Sequence, residues 1–248
     1  MRCWFRICNS EVLLSLVLIA MVASAQAKDS KAQSAQQVMA RAHRARAQWK
    51  GFPGFEAEVV LQSNHRRLVR QVVVTAELRV QWNEPVPLEF VPLKRRFESV
   101  IQHRAAAQQD HYDVEFVPEK GEHPLGRLIR FRHDPMHSRY RIREDLIAQV
   151  SRDAGPLHFT ISVLDASRNA QGKYLPRIYT ISFWDRKTGL LVRSTTVKLQ
   201  WQRLGQWDLP RAIHSITTQG NHTHRAEVIQ LGKLRLRNAP ARAAAGAR

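Results

Sequence analysis

From Gly54 onward the chain alternates apolar and polar residues with a period of two, segment after segment, and short turn signals separate the segments. No other feature constrains the fold as tightly. A period of two sends successive side chains to opposite faces of a strand. Strands joined by turns of a few residues pair antiparallel, because a parallel crossover needs a dozen residues or more. In the first segment Phe55, Ala57, Val59 and Leu61 alternate with Glu56, Glu58, Val60 and Gln62. Residues 64–67 form a polar turn, and Val72, Val74, Ala76, Leu78, Val80 and Trp82 then read as one long apolar face coming back. Further strands are expected at 111–117, 127–132, 138–143, 146–152, 157–165, 174–185, 189–201, 211–219 and 223–231. The clearest hairpin turn is Asp185-Arg186-Lys187-Thr188-Gly189, between two β-branched and aromatic runs.

Two stretches break this rhythm and repeat near 3.6 residues instead. Over 36–49, Val38, Met39, Ala42, Ala45 and Trp49 share a face, and Lys50 to Gly54 stops the helix. Over 93–108, Leu93, Phe97, Val100, Ile101 and Arg104 fall at helical spacing, with Lys94, Arg95, Glu98 and Gln102 opposite. The fold class expected is α+β: a single, highly curved antiparallel β-sheet with an N-terminal helix and a second helix packed on its concave side. A plain sandwich leaves the helices without a place. The folded domain is expected to span 36–237, after a flexible leader at 28–35. A disordered Ala/Arg/Pro/Gly-rich tail is expected over 238–248.

The first 27 residues carry the marks of a secretory signal peptide. Arg2 and Arg6 precede a short apolar run from Leu13 to Ala23, and cleavage patterns place the cut after Ala25 or Ala27. The run is shorter than the roughly 20 apolar residues that a spanning helix needs. The expected mature chain is thus exported to the periplasm or beyond, and has no transmembrane segment. Cleavage also removes Cys3 and Cys8, the only cysteines, and with them any disulfide, thiolate or lipoprotein anchor. The excess of basic over acidic residues, +18 for the whole chain, survives the loss of Arg2, Arg6 and Glu11 almost intact. Such a charge favours anionic envelope components or lipid surfaces. No nucleic-acid partner is expected in an exported protein whose basic strand does not interleave aromatic residues.

The segment Trp49-Lys50-Gly51-Phe52-Pro53-Gly54-Phe55-Glu56-Ala57-Glu58-Val59, with the later Asp185 to Gly189 turn, resembles an exported bacterial family catalogued as domain of unknown function 3386 (DUF3386). The resemblance covers 36–232. Its motifs are turn and core residues, and no catalytic residue carries over from them. Phe55 to Gln62 is also similar, more loosely, to the opening strand of the lipoprotein-carrier half-barrel of the LolA/LolB type. That likeness implies a concave apolar surface able to hold acyl chains.

Motifs with a chemical mechanism are few. His222-x-His224, with His214 on a nearby strand, is a candidate set of metal ligands, and His133-Asp134-x-x-His137 a second cluster. There is no H-E-x-x-H, G-x-S-x-G, P-loop or G-x-G-x-x-G, so no cofactor and no catalytic residue is expected. Arg139, Arg141 and Arg143 share one face of a strand, and form a candidate anion-binding stripe. Trp82, Phe97, Trp184 and Trp201 are the aromatic residues expected to meet a hydrophobic ligand. The function expected is therefore non-enzymatic binding or carriage of a lipid-like amphiphile. A metal-dependent or hydrolytic enzyme, and an envelope protein binding acidic polymers, are the alternatives.

Overall fold

The computed structural model describes residues 33–106, 111–220 and 223–237. The segment read as a signal peptide, most of the expected leader, His222 and the expected tail lie outside them. Helix α1, Ala35–Ala45, buries Ala35, Val38, Met39, Ala40 and Ala42; Val38, Met39 and Ala42 belong to the face that the sequence marks, and Ala45 at its end is half-buried. After the hairpin of β1, Phe55–Ser63, and β2, Arg66–Val74, come a short β3, Val80–Trp82, and a 3-10 turn, Leu88–Phe90. This leads into α2, Val91–Gln102, which buries Leu93, Phe97, Val100 and Ile101. Nine strands follow without interruption by a helix: β4 Val114–Phe116, β5 Arg127–Phe131, β6 Arg139–Arg143, β7 Leu146–Ala154, β8 Leu157–Arg168, β9 Tyr174–Asp185, β10 Leu191–Leu204, β11 Trp207–Gln219 and β12 Thr223–Leu236.

All twelve strands form one antiparallel sheet in the order β3-β2-β1-β12-β11-β10-β9-β8-β7-β6-β5-β4. The sheet does not close, and its two edge strands, β3 and β4, have three residues each. Short edges offer little to a foreign strand. The fold is the α+β class expected, with one large antiparallel sheet and two α-helices among the described residues.

Cross-strand partners share a face, so the register shows which face the helices cover. Leu61 pairs with Ile229, Ile229 with Ile213, and Ile213 with Leu199. Two residues along β10, Val197 pairs with Tyr179, and Tyr179 with Val163. Ile161, two residues from Val163, pairs with Val150, and Val150 with Tyr140. The first residues of this row pack against Leu93, Phe97 and Ile101 of α2, and the last ones against Val38, Met39 and Ala42 of α1. Both helices therefore lie on the same face, over its two ends.

The Trp49 to Phe55 motif ties the crossing between α1 and β1 into the core. The Trp49 ring lies 4.4 Å from Phe52, and its Nε1 donates to the Asp208 carbonyl at 3.2 Å. Gly54 has φ +91, and a Cβ there would sit 2.4 Å from the Val74 carbonyl oxygen. Only glycine tolerates both conditions. The Asp185 turn is equally specific: Oδ1 accepts the amides of Lys187 and Thr188 and the Thr188 hydroxyl at 2.8 to 3.0 Å. Gly189 closes the turn at φ +71.

The long strand expected over 72–82 is broken. Thr75 caps a turn, its Oγ1 and carbonyl accepting the amides of Arg79 and Leu78, and Leu78 takes φ +63. A turn of this kind keeps the apolar alternation in register on both sides, so periodicity alone cannot see it.

Candidate functional site

Between the two helices the sheet is uncovered. Phe159, Ile161 and Val163 of β8 pair directly with Phe183, Ile181 and Tyr179 of β9, all on the helix-bearing face. All six side chains are partly exposed, Tyr179 also packing against the core under α2, whereas the same face is buried at Val197 and Leu199 on one side and at Tyr140 and Ile142 on the other. On the opposite face of the same strands Thr160 pairs with Ser182 and Ser162 with Thr180. The polarity is thus arranged as if the helix-bearing face were the inside, although no segment among the described residues covers it. An apolar strip left open in this way marks a place for a hydrophobic partner.

At one end the strip runs into a cleft of about 380 Å³ with Ile181 and Phe183 in its wall and Arg95, Arg96, Arg193 and Arg225 around it. Arg96 is committed elsewhere, donating to Glu227 at 2.6 Å and to Ser215 at 2.7 Å. The Arg193 guanidinium lies over the Phe183 ring at 4.2 Å. The mouth is therefore cationic and the wall apolar.

At the other end lies a cluster of cations, with Arg104 buried and Arg46, Arg152 and His43 half-buried. Arg104, just past α2, is 5% exposed and stands over the Trp201 ring at 5.4 Å. Arg46, just past α1, donates to the His103 carbonyl at 2.6 Å. Arg152 of β7, the cross-strand partner of Phe159, donates to the Tyr140 hydroxyl. His43 stacks on Tyr112 at 4.8 Å. Burial and the nearby Arg46 pull the Arg104 guanidinium down to about 9. Burial, then Arg46 and Arg152, pushes the His43 imidazole down to about 4. His103 is pushed down as well, chiefly by burial. These shifts report cations crowded in a medium that disfavours charge.

The residues singled out from sequence are dispersed. Phe97 is wholly buried in the core, and Trp82 packs edge-on against it at 5.8 Å while donating to Glu98. Trp184 falls on the polar face of β9, near His158. Trp201 donates to the Pro176 carbonyl at 2.8 Å and lies under Arg104. In the stripe on β6, Arg141 is paired with Glu119 at 2.7 Å, and Arg143 donates to the Pro124 carbonyl. His214 pairs in register with Val228, four positions along β12 from His224, about 13 Å at strand rise. No group of three metal-binding side chains occurs among the described residues. His137 instead shares Asp153 with His158 and Arg186.

Three of the cluster's residues left a trace in the sequence. Arg104 sits on the apolar face of its helical pattern, an odd place for a charge, while Arg46 and His43 lie at the end of the α1 pattern. Arg152 leaves none, since a strand shows its inward face only once its register is known.

A family model described as a protein of unknown function (DUF3386) matches residues 30–236. The chain belongs to this family. No curated protein matches it significantly. Similar solved structures include a LolA superfamily protein from Nitrosomonas europaea, 13% identical, covering 84% of this chain and 96% of that one at a TM-score of 0.34. Another is a domain described as an outer membrane lipoprotein-sorting protein from Vibrio parahaemolyticus, 11% identical, covering 84% and 94% at a TM-score of 0.32. At such scores the likenesses carry no weight, and the DUF3386 chain has to be read from its own residues. No helix among its described residues is long and apolar enough to cross a membrane.

Proposed function

We propose that this DUF3386 protein is an exported, non-enzymatic binder or carrier of a lipid-like amphiphile, seated on the open strip of β8 and β9. One observation carries the reading: six paired apolar side chains face the helix-bearing side, partly exposed, while the residues that alternate with them, Thr160, Ser162, Thr180 and Ser182, are polar. Leaving such a strip in water costs on the order of 25 cal/mol for each Å² that a ligand would cover. An acyl chain lying across the strip has the length and chemistry to cover it. Trp201, beside the strip's inner end, is the tryptophan best placed to touch the ligand. The basic surface then suits an anionic envelope component as the source or destination of the cargo.

Native mass spectrometry of protein purified from its own host tests this directly. A co-purifying amphiphile near one per chain is expected, released by organic extraction. A chain that arrives bare, and that binds no fatty acid or monoacylglycerol after extraction, defeats the proposal.

A further inference from the structure

The cation cluster at the inner end of the strip has a chemistry that the apolar strip does not explain. Arg104 is almost completely buried, yet its Nε and Nη1 find no hydrogen-bond partner. The Arg152 Nε and the His43 Nε2 are buried without partners as well. None of Arg46, Arg104 and Arg152 makes an ion pair with a described carboxylate. The carboxylates of Asp208 and Asp134 interact with Arg104 and Arg152 at a distance, and both are held by other groups. Asp208 accepts from Asn169 at 2.7 Å and from Arg203 at 3.4 Å. Asp134 accepts the amides of Met136 and Ser138. Neutral groups stand beside the cluster as well: Tyr140, whose hydroxyl takes Arg152, together with Tyr112, Tyr179 and Trp201.

A buried guanidinium stripped of partners is among the most costly arrangements in a protein interior. Here three guanidinium groups from three separate elements occupy one region. Arg46 follows α1, Arg104 follows α2, and Arg152 belongs to β7. Arg104 and Arg152 have donors left over. A carboxylate brings a single charge and a planar pair of oxygens. A phosphoryl group brings up to two charges and three oxygens spread in space, which matches donors brought by three separate elements.

We infer that Arg46, Arg104 and Arg152, with His43, form a binding site for a phosphoryl group. The site stands on the geometry of the cluster itself, and only the placing of an acyl chain next to it rests on the carrier reading. Because Arg104 stands over Trp201 and its charge reaches Tyr179, the residue that ends the strip on β9 away from the cleft, a phosphate bound here sits at that end of the apolar strip. A phosphorylated amphiphile fits both together. Free phosphate fits the cluster alone.

Calorimetric titration of the full chain, stripped of anions by dialysis into chloride buffer, tests the assignment with three probes: inorganic phosphate, lysophosphatidic acid and the monoacylglycerol of the same chain length. The expected result is that lysophosphatidic acid binds about tenfold or more tighter than the monoacylglycerol. That advantage should vanish in Arg104→Gln and again in Arg152→Gln, with thermal melts confirming that each variant is folded. Binding of phosphate alone, with neither lipid taken up, keeps the phosphoryl site and ends the carrier reading. Equal affinity for the two lipids, with phosphate silent, overturns the phosphoryl site and keeps the carrier. Silence from all three probes overturns both.

Discussion

Replacing Arg104 by methionine is expected to stabilise the anion-free protein, against the usual direction of a buried substitution. The guanidinium is 5% exposed, has two unpartnered nitrogens, and is pulled down to about 9 by burial and Arg46. That displacement corresponds to about 5 kcal/mol of disfavour for the charged form in the folded state. The folded value lies below the unfolded one, so the penalty is present in full at every pH below about 9 and fades only as pH rises above it. Methionine keeps most of the stem and loses the contact of the cation with Trp201, worth about 1–2 kcal/mol. It leaves Trp49 its acceptor, the Arg104 backbone carbonyl at 2.8 Å. A net gain of about 3 kcal/mol at neutral pH is expected, or roughly 6–12 °C in Tm for a domain of this size. Urea and thermal denaturation in chloride buffer measure it. Added phosphate should then raise the Tm of the wild type and leave the variant unmoved. A variant less stable than wild type by 1 kcal/mol or more would mean that Arg104 is already compensated within the fold, and the reasoning fails.

Between pH 6.5 and about 4 the wild type should lose roughly 2 kcal/mol more than His43→Gln, because the imidazole takes up its proton in the unfolded chain first and resists it in the folded one; paired urea melts across that window show the difference. Gly54→Ala should cost about 2 kcal/mol or more, since it forces a side chain onto φ +91 and against the Val74 carbonyl at 2.4 Å. An undiminished melting midpoint would show that the strand ends can part there. Ile181→Asp should abolish retention of a co-purifying amphiphile at a stability cost of about 1 kcal/mol, whereas Thr180→Asp on the reverse face should leave retention intact. Equal loss in both variants would place the ligand elsewhere.

The meander from β4 to β12 came through in the sequence because its turns are chemically explicit, whereas nothing local announced that β1 pairs with β12. The Asp185 turn and the Gly205 and Gly155 corners each use a residue chosen for its backbone, and each marks a hairpin. Where the backbone departs from the pattern without such a residue, the sequence is silent, as at Leu78 with its φ of +63. Helix α2 begins at Val91, earlier than the apolar spacing suggests, because Pro92 occupies the first turn, where the missing N–H costs nothing. Helix α1 stops at Ala45, short of Trp49, because Arg46 and Ala47 turn aside to pair with Tyr174. The site was less legible than the fold. Trp184 and Tyr179 look alike in a strand of alternating residues, and only the pairing with Val197 sends the tyrosine inward. The arginines of β6 drew attention as a row, although Glu119 already answers one of them from a distant loop. The decisive cations are brought together from three elements, and no local pattern encodes that meeting.

The first strand of the sheet pairs with the last: Phe55 lies opposite Leu236, and Ser63 opposite Glu227. Growth from the ribosome therefore yields a β1–β2 hairpin that must wait for almost the entire chain before its second neighbour exists. Contacts so distant in sequence form slowly, because the closure of a large loop precedes any reward. The nine C-terminal strands can zip in order, yet the cluster under α2 stays incomplete until β12 arrives. The core of such a chain is therefore complete only once its last strand has been made.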